Sequence, residues 1–167
     1  RIEVWLGRSV PESFVPDVRE RTAEGFRIRL KPIEGAIGLV RVTTGRFYVA
    51  SSGPVEKIRF NLSLTGLLPF FEGRIFSSYE VGFWKPDPGL FLRAAHALGV
   101  EPQECAVVED SLPGIQAGVT EGMEVFAFQP NGVDPRTPPG VVIVKRLSDL
   151  QSIIGAGQTA DHEQPMI

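Results

Sequence analysis

Short apolar runs alternate along this chain with stretches in which apolar residues recur every three or four positions, the pattern of strands interleaved with amphipathic helices. Arg46-Phe47-Tyr48-Val49-Ala50 is rich in strand-forming residues and ends at Ser51-Ser52-Gly53. Pro54 suits the start of a helix, where its missing N–H is no loss, and Val55, Ile58, Leu62 and Leu64 supply an apolar stripe behind it. Arg74-Ile75-Phe76 reads as a short strand. Asp87 to Leu98 reads as a helix, with Leu90, Phe91, Ala94, Ala95 and Leu98 on one face and Gly99 as its stop. Cys105-Ala106-Val107-Val108 is expected to be a buried strand, broken by Glu109-Asp110-Ser111. A helix from about Pro113 to Glu121, strands over Val125–Phe128 and Val141–Val144, and a helix from Leu147 to Ile154 complete the series.

The two ends have a different texture. From Arg1 to about Leu30, Phe14, Val18 and Phe26 mix with many charges, as in short surface helices. Pro11, Pro16 and Gly25 interrupt that pattern, so no long helix is expected there. Lys31-Pro32-Ile33-Glu34-Gly35 reads as a linker. The segment 155–167 is polar and is expected to be a disordered tail, which leaves 1–34 and 35–154 as the structured parts. Apolar strands alternating with helices predict an α/β fold, a Rossmann-like parallel sheet with helices on both faces. In such sheets the active crevice lies outside the carboxyl ends of the strands.

Composition narrows the function classes. The chain has 167 residues, 43% hydrophobic and 22% charged, as a globular protein does. A net charge of −3 gives no general attraction to nucleic acid or anionic membrane. No apolar run approaches the roughly 20 residues of a membrane helix, and no basic-then-apolar leader opens the sequence. Neither a nucleic-acid nor a membrane partner is therefore expected, and a cytoplasmic location is. The single cysteine, Cys105, can form no internal disulfide and reads as a small buried hydrophobe.

Three polar clusters fall at strand ends or between elements: Ser51-Ser52, Trp84-Lys85-Pro86 and Glu109-Asp110-Ser111. Two adjacent carboxylates repel, and a hard cation such as Mg2+ relieves that repulsion; the plainer alternative is a helix start, with Asp110 or Ser111 as its cap. Lys85 can hold an anion such as phosphate, or can be an ordinary exposed lysine. Ser51 and Ser52, with the turn at Gly53, can cradle a phosphate or simply cap the next helix.

In order, Val49-Ala50-Ser51-Ser52-Gly53, then Phe83-Trp84-Lys85-Pro86-Asp87-Pro88, then Val107-Val108-Glu109-Asp110-Ser111 with Gly114 and Gly118, the clusters resemble the second, third and fourth motifs of the haloacid dehalogenase superfamily. The likeness is greatest to its sugar-phosphate branch, which contains β-phosphoglucomutases and small phosphatases such as 6-phosphogluconate phosphatase. That resemblance implies Ser51 as the hydroxyl that bonds the transferring phosphoryl group, with Ser52 and Gly53 beside it. It implies Lys85 as the cation that neutralises phosphate and nucleophile, and Glu109 and Asp110 as the pair that holds Mg2+. Leu6-Gly7-Arg8-Ser9 resembles the loop of a helical cap that reaches over substrate, which makes Arg8 a candidate binding residue and 1–34 a partial cap. The substrate implied is a small phosphorylated metabolite.

The family's first motif, a strand followed by Asp-x-Asp-Gly that supplies the nucleophile and the general acid–base, has no counterpart in this sequence. The chain opens at Arg1 without methionine, as a truncated piece would. The expected function belongs to the intact parent: a Mg2+-dependent phosphomonoesterase acting through an aspartyl-phosphate on a sugar phosphate or sugar-acid phosphate. A mutase of the β-phosphoglucomutase type and a non-catalytic remnant that binds ligands or partners are the alternatives. The missing strand belongs at the centre of the family's sheet, so self-association through an exposed sheet edge is also expected.

Overall fold

The computed structural model describes residues 2–43 and 46–157, with the backbone alone over 154–157. The chain divides into two compact units, Arg1–Lys31 and Pro32–Ile167. The first holds α1 (Ile2–Leu6) and α2 (Phe14–Arg29). The Glu3 carboxylate accepts the Val10 N–H at 3.0 Å and folds the connection back on α1. Helix α2 runs unbroken for 16 residues, contrary to the expectation of short pieces. Pro16 falls in its first turn, where no backbone N–H is needed, and a lone Gly25 weakens a helix without ending it.

The second unit begins with α3 (Ala36–Val42), which the apolar pattern did not single out. The expected alternation then follows: β1 (Val49–Ser51), α4 (Val55–Leu64), α5 (Leu68–Phe71), β2 (Ile75–Ser77), α6 (Ser78–Val81) and α7 (Gly89–Leu98). After a 3-10 turn at Pro102–Glu104 come β3 (Ala106–Glu109), α8 (Leu112–Thr120), β4 (Glu124–Phe128), β5 (Val142–Val144) and α9 (Leu147–Gly157). Helix α9 extends three residues into the segment expected to be a tail, and 158–167 lie outside the described residues. Pro54 stands just before α4, and Gly99 ends α7 in the left-handed conformation (φ 70°) that glycine adopts without strain.

All the described ladders are parallel, and they form two sheets. Strand β1 pairs with β2 from Val49↔Ile75 to Ser51↔Ser77. Strand β4 lies between β3 and β5, with Val107 opposite Val125 and Phe126 opposite Val142. The strand period of two sorts side chains to opposite faces. Val107, Val125 and Ala127 pack with Phe91, Ala94 and Leu98 of α7 and Ile115 and Ala117 of α8. Ala106, Phe126 and Val144 pack with Leu39 of α3 and Leu147 and Leu150 of α9. Apolar strands are thus covered on both faces, the arrangement a buried parallel sheet requires.

No ladder among the described residues joins β1 to β3. A cavity of about 220 Å3 is lined by Val49 and Ala50 of β1, Val108 and Glu109 of β3, Phe91 of α7 and Leu39 of α3. It is the place where the sheet is discontinuous. Cys105, on the entry to β3, is fully buried, and burial first and the neighbouring Glu104 second push its thiol up to about 11. Such a thiol stays protonated and acts as a small apolar group.

Candidate active site

Strand β3 sets the centre of the site by its alternation. Ala106 and Val108 face α3 and α9, Val107 faces α7 and α8, and the next residue, Glu109, therefore turns toward α7 and α8. Lys85 arrives there from the loop before α7, whose first turn is tied by the Asp87 carboxylate accepting the Gly89 N–H at 2.8 Å. The Lys85 ammonium donates to Glu109 Oε2 at 2.5 Å and to the Ala50 carbonyl at 3.1 Å. It also lies 4.7 Å from the centroid of the buried Phe91 ring, within reach of a cation–π attraction. The charged ends are little exposed, at 12% for the Lys85 side chain and 9% for Glu109. One ammonium thus joins the carboxyl ends of β1 and β3.

Burial opposes ionisation of Glu109, but the Lys85 charge and the hydrogen bonds from Lys85 and Ser111 outweigh it and hold the carboxyl below its ordinary value. Asp110 is pushed the other way, first by desolvation and then by the negative charge of Glu109. Among the described residues no ammonium or guanidinium is paired with Asp110. The adjacent carboxylates therefore carry more negative charge than Lys85 balances, a donor set that suits a hard divalent cation. No group of three or more His, Cys, Asp or Glu side chains gathers among the described residues, so this pair makes only part of a metal shell.

Ser51 is the last residue of β1 and directly follows the carbonyl that Lys85 grips. Its hydroxyl accepts the Gly53 N–H at 3.2 Å. The Gly53 carbonyl in turn accepts the fully buried Ser77 hydroxyl at 2.7 Å, which fixes the turn against the end of β2. Ser52, between them, is exposed. The structure therefore gathers Lys85, Glu109 and the start of the Ser51-Ser52-Gly53 turn, with Asp110 next in the chain. Arg8 lies in the other unit, exposed on the turn after α1. Sequence reasoning did not find the Ala50 carbonyl or the Phe91 ring as supports of Lys85. Phe91 reads as core by helical spacing, and a backbone carbonyl leaves no mark in a sequence.

Removing one member of a buried ion pair strands the other, at a cost of about 3 kcal/mol. Lys85→Met should destabilise the fold by that order, and adding Glu109→Gln should recover part of the loss. Chemical denaturation of the two single variants and the double variant measures the coupling. Additive losses would show that the two groups do not interact as described.

The parallel α/β sheet is discontinuous, and a lysine and two adjacent carboxylates stand at its carboxyl ends. Residues 6–122 match the family model described as haloacid dehalogenase-like hydrolase, and the chain belongs to that family. It is 36% identical over 137 residues to 6-phosphogluconate phosphatase of Escherichia coli, covering 81% of this chain and 62% of that protein. It is 29% identical over 116 residues to a phosphorylated carbohydrates phosphatase of Thermotoga maritima, covering 68% of this chain and 53% of that protein. The chain thus spans little more than half to three-fifths of these relatives. A crystal structure of a β-phosphoglucomutase-like protein from Thermotoga maritima superposes with a TM-score of 0.79 at 22% identity, over 93% of this chain and 74% of that one, which establishes the shared fold.

Proposed function

We propose that the natural protein containing this chain is a Mg2+-dependent phosphomonoesterase that acts on a small phosphorylated sugar or sugar acid. The observation that carries this reading is the Lys85 ammonium, held by Glu109 and the Ala50 carbonyl where β1 and β3 end. Phosphoryl transfer needs positive charge and hydrogen-bond donors around the phosphoryl oxygens more than it needs covalent chemistry from the protein. Lys85 supplies the charge in a site where water screens little. The Ser51 hydroxyl, whose oxygen accepts the Gly53 N–H, keeps its own proton to donate to a phosphoryl oxygen. Asp110, with Glu109 beside it, would hold Mg2+, which when bound neutralises charge on the phosphoryl oxygens. The nucleophile is an aspartate that this chain does not itself provide, and the phosphoryl group passes through an aspartyl-phosphate. The names of the two phosphatase relatives support the sugar-phosphate class, and the likeness of Leu6-Gly7-Arg8-Ser9 to a cap loop makes Arg8 a proposed substrate-binding residue.

Phosphate release from a panel of hexose phosphates and sugar-acid phosphates, measured on the natural full-length protein, tests the reading. Turnover should require Mg2+ and should fall by about a hundredfold to a thousandfold in Lys85→Met, the scale on which losing one charge-stabilising group acts. Hydrolysis that survives both chelation and Lys85→Met would overturn it.

A further inference from the structure

The carboxylate of Glu109 is gripped on one oxygen and crowded from behind. Its Oε1 accepts the Ser111 hydroxyl at 2.7 Å, the Ser111 N–H at 3.0 Å and the Asp110 N–H at 3.2 Å. Its Oε2 is left to Lys85. The Ser111 hydroxyl has a second duty, since it also accepts the Gly114 N–H at 3.2 Å as the N-cap of α8. One hydroxyl thus ties the start of a helix to the orientation of the carboxylate.

Gly114 completes the arrangement. A Cβ built there would overlap the Glu109 side chain, and the three atoms it would meet first, Cδ, Oε2 and Cγ, all belong to Glu109. Gly114 does not have the positive φ that calls for glycine, and a helix is less stable with glycine than with alanine. Neither backbone conformation nor helix propensity explains this glycine. The space taken by the Glu109 carboxylate does.

We propose that Ser111 and Gly114 are positioning residues, which together set the Glu109 carboxylate so that its second oxygen holds the Lys85 ammonium at the ends of β1 and β3. The inference rests on the reading of Lys85 as a phosphate-binding group. Lysine is a point charge on a flexible stem, so its position is only as good as its partners. With Glu109 turned away, the Ala50 carbonyl alone holds the ammonium, and an anion in the crevice loses its fixed counter-charge.

The test uses inorganic phosphate as the probe, titrated calorimetrically into the natural full-length protein in excess Mg2+, with circular dichroism and thermal melting recorded for each variant. Ser111→Ala should weaken phosphate binding about tenfold, in line with losing a hydrogen bond to a charged group. Ser111→Thr, which keeps both the donor and the cap, should bind as wild type does. Gly114→Ala favours the helix but displaces Glu109, so it should lose phosphate affinity while keeping its fold. A helix cap alone would lower the melting temperature of Ser111→Ala without that pattern. If Ser111→Ala does not fold, Gly114→Ala decides by the same measurement. Wild-type phosphate affinity in a folded Ser111→Ala or Gly114→Ala protein overturns the proposal, as does a Ser111→Thr protein as weak as Ser111→Ala. Lys85→Met separates the two readings. If it binds phosphate as tightly as wild type, the phosphate-site reading fails and takes this inference with it, whereas loss only in Lys85→Met defeats the positioning role alone.

Discussion

Purified Arg1–Ile167 is expected to release phosphate from sugar phosphates no faster than a buffer control, with or without Mg2+. The groups at the site bind and polarise. On the proposed reading Lys85 and Ser51 stabilise a phosphoryl group and Asp110 faces a cation, but no strand-borne Asp-x-Asp-Gly exists in the sequence to attack phosphorus. Losing a covalent nucleophile lowers turnover by about six orders of magnitude in a serine protease whose catalytic residues were removed singly and together. The remaining electrostatic groups leave a residual acceleration that falls below detection for a phosphomonoester. A sensitive inorganic-phosphate assay on protein purified through two unrelated affinity tags measures this. Turnover that depends on Mg2+ and disappears in Asp110→Asn would mean that another carboxylate of this chain serves as nucleophile.

Much of this site was legible in the sequence because its parts sit where strands end. An apolar run that stops abruptly at Ser51, or at Glu109, marks both the edge of the core and the mouth of the crevice. What could not be read is how the parts meet. Lys85 and Glu109 are 24 residues apart, and nothing local says that the lysine takes one oxygen of the glutamate while Ser111 takes the other. Ser111 and Gly114 were visible as a cap and a helix glycine, and their second role depends on a side chain arriving from β3. Helix α3 was missed for a related reason. Ala36 to Val42 is short and rich in β-branched residues, which favour strands. It is helical because Leu39 docks in the core with Leu147 and Leu150, and because Gly38 leaves room for the Gln151 side chain of α9. Helix α2 differs in the other direction: the prolines expected to interrupt it stand before it and in its first turn, where proline is tolerated.

The discontinuity in the sheet leads to the second large effect. In parallel α/β sheets the interior strands are bonded on both edges and covered on both faces. Here β1 has a described partner only in β2, and β3 only in β4, while their other edges border the same apolar cavity. Val49, Ala50 and Val108 line it with apolar side chains, and the strand backbones there have no ladder partners among the described residues. Such an edge is a template for another chain, and none of the charges or prolines that guard natural edges stands on β1. Arg1–Ile167 is therefore expected to self-associate through these edges, with a light-scattering mass that rises with concentration well above the 18.3 kDa of one chain. Val49→Lys places a charge at the lining of the cavity and should return the mass toward that of a monomer, because an edge lysine resists pairing. Wild-type protein that stays monomeric at high concentration and unfolds in one cooperative transition would show that α3, α7 and the cavity lining close the gap without a partner. The phosphate affinity of that monomer would then be the first property to measure, since a closed gap keeps the Lys85 ammonium and the Glu109 carboxylate in place without any strand between β1 and β3.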